Sequence, residues 1–126
     1  KKNNTQKANL QQVPLLPSLS EYSVYFSMPV YSKHYSSSTK HGEIMAMGIP
    51  IITNREVGDV EEIVLKYDSG SVLNEFTQAA FESTAQKIVA GQHYNAAAIR
   101  QGASDFYALE SAIEKYKTIY SRILGE

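Results

Sequence analysis

Ser36-Ser37-Ser38-Thr39-Lys40-His41-Gly42-Glu43-Ile44-Met45-Ala46-Met47-Gly48-Ile49-Pro50-Ile51-Ile52-Thr53-Asn54 reads as a polar loop, a short helix and a buried strand. Ser36, Ser37, Ser38 and Thr39 are N-cap candidates, because a short hydroxyl accepts from the open amides of a first helical turn. Glu43 is expected in that first turn, where the positive end of the helix favours a carboxylate. Ile44, Met45, Ala46 and Met47 fill the helix body, and Gly48 followed by Pro50 marks its end. Ile49, Ile51 and Ile52 form an apolar, β-branched run of the length of a buried parallel strand. A loop that ends in free backbone N–H groups at a helix N-terminus is a ready anion site.

Working back from this stretch, Ser23 to Met28 is rich in β-branched and aromatic residues and predicts a strand ended by Pro29. Val30 to Tyr35 predicts an exposed loop. Residues 1–20 read as a loosely structured lead-in, with one helical turn around Pro17 to Ser20. Working forward, Asp59 is expected to cap the next helix, with Glu62 three residues on as a capping-box partner. Asp68-Ser69-Gly70 predicts a turn and Ser71 to Leu73 a short strand. Phe81, Ala85, Ile88 and Val89 then recur at helical spacing up to Gly91. Asn95 opens a helix through about Phe106, with Ala98, Ile99, Gly102 and Ala103 on a small-residue face. Leu109, Ala112, Ile113, Tyr116, Ile119, Tyr120, Ile123 and Leu124 predict a final helix from Ala108 to Leu124. The fold class expected is α/β: a three-stranded parallel sheet with a helical C-terminal tail.

The 126 residues allow one domain at most. Hydrophobic residues make up 43%, ordinary for a packed chain, so disorder is not the expectation. A net charge of −1 gives a nucleic-acid partner no electrostatic support. The absence of cysteine removes disulfides, thiol catalysis and cysteine zinc sites, and is compatible with the cytosol. No apolar run approaches the roughly 18 residues of a membrane helix, and no signal peptide is visible at the start.

Gly42-Glu43-Ile44-Met45-Ala46-Met47-Gly48-Ile49-Pro50-Ile51-Ile52 resembles the nucleotide-sugar-binding signature of retaining glycosyltransferases of GT-B fold, the group 1 type. That signature runs glutamate, a small or apolar pair, alanine, any residue, glycine, apolar, proline and an apolar pair. Gly58-Asp59-Val60-Glu61-Glu62-Ile63-Val64 is similar to the family's glycine turn with its following glutamate. Together the resemblance spans roughly residues 23 to 73.

The resemblance implies a partial Rossmann-like domain, the incomplete C-terminal half of a larger cytoplasmic enzyme of polysaccharide biosynthesis, membrane-peripheral at most. Its upstream strand–helix units and N-terminal acceptor domain are missing. The ligand implied is the nucleotide diphosphate end of a sugar donor, transferred with retention of configuration, and no cofactor is called for. The chain alone is expected to be inactive and to bind nucleoside diphosphates weakly or not at all.

For the site, the resemblance places Glu43 on the donor ribose, where a carboxylate accepts from two vicinal hydroxyls. The alternative is a carboxylate that stabilises its own helix. Ser38, Thr39, Lys40 and Gly42 are the candidates for nucleotide and diphosphate contact, against ordinary capping and a solvated lysine. The family often carries a second glutamate eight residues before the first, and here that position is Tyr35. Tyr35, Gly58 and Glu62 are candidates for sugar or diphosphate contact, against loop packing, turn geometry and capping. His34 and His41 read as surface histidines, and no histidine–carboxylate spacing points to a metal. Two other readings are the donor half of a sugar-nucleotide epimerase and a non-catalytic interaction module. The strand from Ser23 is expected to lie at an open sheet edge, covered by the N-terminal segment, a lattice neighbour or a second copy in an isologous dimer.

Overall fold

The computed structural model describes residues 7, 9, 12, 17, 19–28 and 30–125. The chain is α/β. Three parallel strands, β1 (Ser23–Val24), β2 (Ile51–Asn54) and β3 (Gly70–Leu73), lie in the order β1-β2-β3. Ser23 pairs with Ile51 and Val24 with Ile52, while Ile51 to Asn54 pair with Gly70 to Leu73. Helix α1 (Thr39–Ala46) connects β1 to β2, and α2 (Val60–Tyr67) connects β2 to β3. Then come α3 (Gln78–Val89), α4 (Ala96–Tyr107) and α5 (Leu109–Leu124). Most of the lead-in, including Ser18 of the expected helical turn, and Pro29 lie outside the described residues.

One apolar cluster joins the sheet to the first two helices: Ile44, Ile49, Ile51, Val57, Val60 and Val64. A second, Met45, Ile63, Ile99 and Ala103, seats α4 on the outer side of α1 and α2. Gly102 makes that seat possible, because a Cβ there would fall 2.6 Å from the Tyr67 ring. On the opposite face of the sheet Phe26 meets Phe76 and Phe81 edge to face, with centroids 5.7 Å apart in both pairs.

The first strand is shorter than the expected Ser23 to Met28, for a local reason. Asn54 turns its side chain onto Ser27, accepting from the Ser27 amide and donating to the Ser27 carbonyl, both at 2.9 Å. Tyr25 still donates to the Ile52 carbonyl at 2.9 Å, and at Ser27 the Asn54 amide side chain replaces the next backbone rung, so regular pairing ends there. β1 is an edge strand, and strand alternation turns the backbone groups of Val24 away from β2. A hollow beside it is lined by Pro17, Ser20, Tyr22, Ser23 and Val24. The rest of the expected N-terminal cover lies outside the described residues.

Two other expectations are corrected. Ala98 is exposed, so the buried face of α4 is Ile99, Gly102 and Ala103 alone. The Asp59 side chain makes no capping hydrogen bond at α2, and Glu62 stands exposed, so the capping-box pair does not form. Asp59 instead has a buried Oδ1 without a partner among the described residues, because its backbone is already helical and its carboxylate turns inward.

Candidate functional site

The loop and helix of the opening stretch form one unit. Ser38 is the N-cap of α1, in extended conformation, and its hydroxyl and carbonyl both accept from the His41 amide at 3.4 and 3.0 Å. The amides of Thr39 and Lys40, first in the helix, have no intrahelical acceptor to turn to. The other end closes in a Schellman arrangement. Ile49 donates to the Ile44 carbonyl and Gly48 to that of Met45, with Gly48 at φ 74°.

Glu43 is not in the first turn of α1. It is the fifth helical residue, and the first turn holds no acid. The expected role as a helix-start carboxylate therefore loses its geometric basis, since dipole stabilisation fades within one turn. Glu43 is exposed and lines a groove of about 500 Å³ between α1 and α4. Thr39, Gly42 and Ala46 share its face of α1, and Arg100, Ala103, Ser104, Tyr107 and Ala108 form the other wall. The groove has an apolar floor with hydroxyl, carboxylate and guanidinium groups around it, a lining suited to a polar molecule with a ring. One Arg100 nitrogen donates to the Met47 carbonyl at 3.2 Å, which ties that cation to the C-terminal end of α1.

Of the other candidates, Thr39 and Gly42 join Glu43 in the groove, while Ser38 stands at the helix start. Lys40 is exposed, its ammonium 5.9 Å from the Tyr25 ring centroid. Tyr35 is 79% exposed and packs edge to face on Tyr31. It follows a single 3₁₀ turn, Tyr31–Lys33, and does not line the groove. Gly58 sits at φ 51°, and a Cβ there would fall 1.8 Å from the Ser36 carbonyl oxygen, so the turn after β2 presses directly on the loop. Glu62 lies in the first turn of α2 and does not line the groove.

His41 corrects a further expectation. It is 0% exposed, not a surface residue. Its Nδ1 lies 3.1 Å from the Tyr107 hydroxyl, and the two rings meet edge to face. Nε2 is buried without a partner among the described residues, like Oδ1 of Asp59. Burial pushes the His41 pKa down to about 4 against the opposing pull of the Asp59 carboxylate. Burial pushes Tyr107 up to about 12, Asp59 adds to that, and a hydrogen bond from Ser37 works the other way. Gly42 sits against the same ring, and a Cβ there would meet it at 2.7 Å. The signal for His41 was present in the helical phase, since it precedes buried Met45 by one turn. Tyr107 and Arg100 come from a helix distant in sequence, and no local pattern marks them.

The chain has no match among family models, curated proteins or solved structures.

Proposed function

We propose that this chain is the nucleotide-sugar donor-binding part of a retaining glycosyltransferase of GT-B fold, with a Rossmann-like sheet continued by strands upstream. The donor diphosphate sits on the amides at the start of α1, and the Glu43 carboxylate accepts from the ribose hydroxyls. Lys40 lends a positive charge from the same turn. The acceptor and the remaining cations belong to an N-terminal domain of a larger cytoplasmic enzyme. This part contributes positioning and electrostatic stabilisation of the leaving diphosphate.

What supports the reading is the placement of Glu43. It is one turn past Thr39 on the same face, at a groove, and it pairs with no cation among the described residues. A carboxylate with its lone pairs free and an open helix start one turn away match the two ends of a nucleoside diphosphate. The resemblance of residues 42–52 supplies the chemistry of the ligand.

In the full-length enzyme, Glu43→Ala is expected to weaken donor binding by about 1–3 kcal/mol, the order of a charge-assisted hydrogen-bond pair. Isothermal calorimetry with the donor measures this. Unchanged affinity would remove Glu43 from the site.

A further inference from the structure

Leu109, Ile113, Tyr116, Tyr120 and Ile123 of α5 recur at spacings of four, three, four and three, and all five are exposed. That alternation is the seam of a two-helix coiled coil, narrower than the face of a helix that lies on a sheet. Within α5 only Ser111 and Ala112 are even partly covered. A 16-residue helix with no buried side chain has little to hold it in water, because tertiary packing supplies most helical stability. A contiguous apolar stripe of this kind marks a contact surface.

The charges beside the seam say what covers it. Glu110 and Lys117 are one heptad apart and so hold the same flanking position. In a parallel pair of α5 helices that position faces Ala112 or Ile119 of the second copy, and neither charge gains a partner. In an antiparallel pair it faces its own equivalent, and the register decides the outcome. With Ile113 against Tyr116 of the second copy, and Leu109 against Tyr120, Glu110 faces Lys117 at both ends of the contact. A slide of one heptad sets Lys117 on Lys117 in one direction and Glu110 on Glu110 in the other. Charge therefore favours one orientation and one register. Shape on the other flank agrees. There Ala112 faces Ile119 of the second copy, and a hollow of about 280 Å³ opens beside Ala112, lined also by Phe106, Lys115, Tyr116 and Ile119. A small residue with a void beside it thus stands opposite a large one.

We propose that α5 is a self-association element: two copies of the chain pair their α5 helices antiparallel, with Glu110 of each on Lys117 of the other. The contact is isologous, so each favourable pair occurs twice. Lys117 is tied to Glu114 of its own helix at 2.8 Å, which restrains the ammonium before the second copy arrives.

Sedimentation velocity of the full chain at low ionic strength tests this. The unaltered chain is expected to pass from monomer to dimer as concentration rises. The α5 amides, poorly protected in the single chain, should slow in exchange as the dimer forms. Glu110→Lys and Lys117→Glu are each expected to weaken the dimer about tenfold or more, since both symmetric contacts turn repulsive at once. An equimolar mixture of the two variants is expected to recover it, because lysine then faces glutamate throughout. Recovery is a result that an unfolded helix could not give. A chain that stays monomeric at every concentration leaves the stripe to another protein or another segment and overturns the proposal. A dimer indifferent to both reversals overturns it too, by placing the contact elsewhere, such as the β1 edge. Loss in both variants without recovery in the mixture does the same. No nucleotide is present, so each outcome leaves the donor reading as it stands.

Discussion

Burial keeps His41 neutral in the folded chain, its pKa about 4, whereas an unfolded histidine titrates near 6.5. Between those values the unfolded chain binds the extra proton, so stability rises with pH across that window. It is fully present above about 6.5 and is lost as pH falls toward 4, to the extent of about 2–3 kcal/mol. Urea unfolding at a series of pH values measures this, and His41→Phe should flatten the dependence. Gly58 gives a second prediction at this scale. Its φ of 51° and the Ser36 carbonyl leave no room for a side chain. Gly58→Ala should therefore destabilise the chain by more than about 1 kcal/mol in the same assay, through strain as well as the clash. Single residues were the least legible scale in the sequence. Glu43 and Gly58 stand in short local patterns, and their places could be anticipated to within a turn. The helical phase of His41, one turn before buried Met45, signals its burial, but not its partner, because Tyr107 comes from α4, distant in sequence.

Elements were far more legible, for reasons particular to each. Asn95 announces α4, and its side chain does accept from the amides of Ala97 and Ala98. Gly48 announces the end of α1, and the Schellman bonds form there. β1 was misread in length because Asn54, distant in sequence, completes its pairing with a side chain. Asn54→Ala should cost about 1–3 kcal/mol, since it removes the partner of two part-buried backbone groups. Hydrogen exchange at the Ser27 amide should accelerate more than at any amide of β3. The last helix was expected from periodicity, and α5 spans Leu109–Leu124 as the spacing predicts. Its stripe is exposed, however, with Tyr116 at 63% and Ile123 at 73%, and no residue of the helix is buried. Periodicity fixes which face of a helix is apolar; it does not say what that face meets. With so little packing, α5 amides should exchange faster than those of α4, whose Ile99, Gly102 and Ala103 are buried.

At the scale of the whole molecule, two apolar clusters hold a parallel sheet, α1, α2 and α4 together, and they set the loop before α1 against the turn after β2. Ligands of open α/β sheets gather beyond the C-terminal ends of the strands, where those two connections emerge. The central claim is that this junction, with Glu43 beside it, receives a nucleoside diphosphate. The cations proposed upstream are absent from the chain, so the affinity should be weak, in the millimolar range. The most direct measurement is an amide NMR titration of the chain with UDP, GDP and ADP in turn. At least one of them is expected to give saturable shifts confined to Ser37 through Glu43 and Gly58. Shifts that never saturate, or that fall on α3 and α5 instead of the loop, would contradict the account.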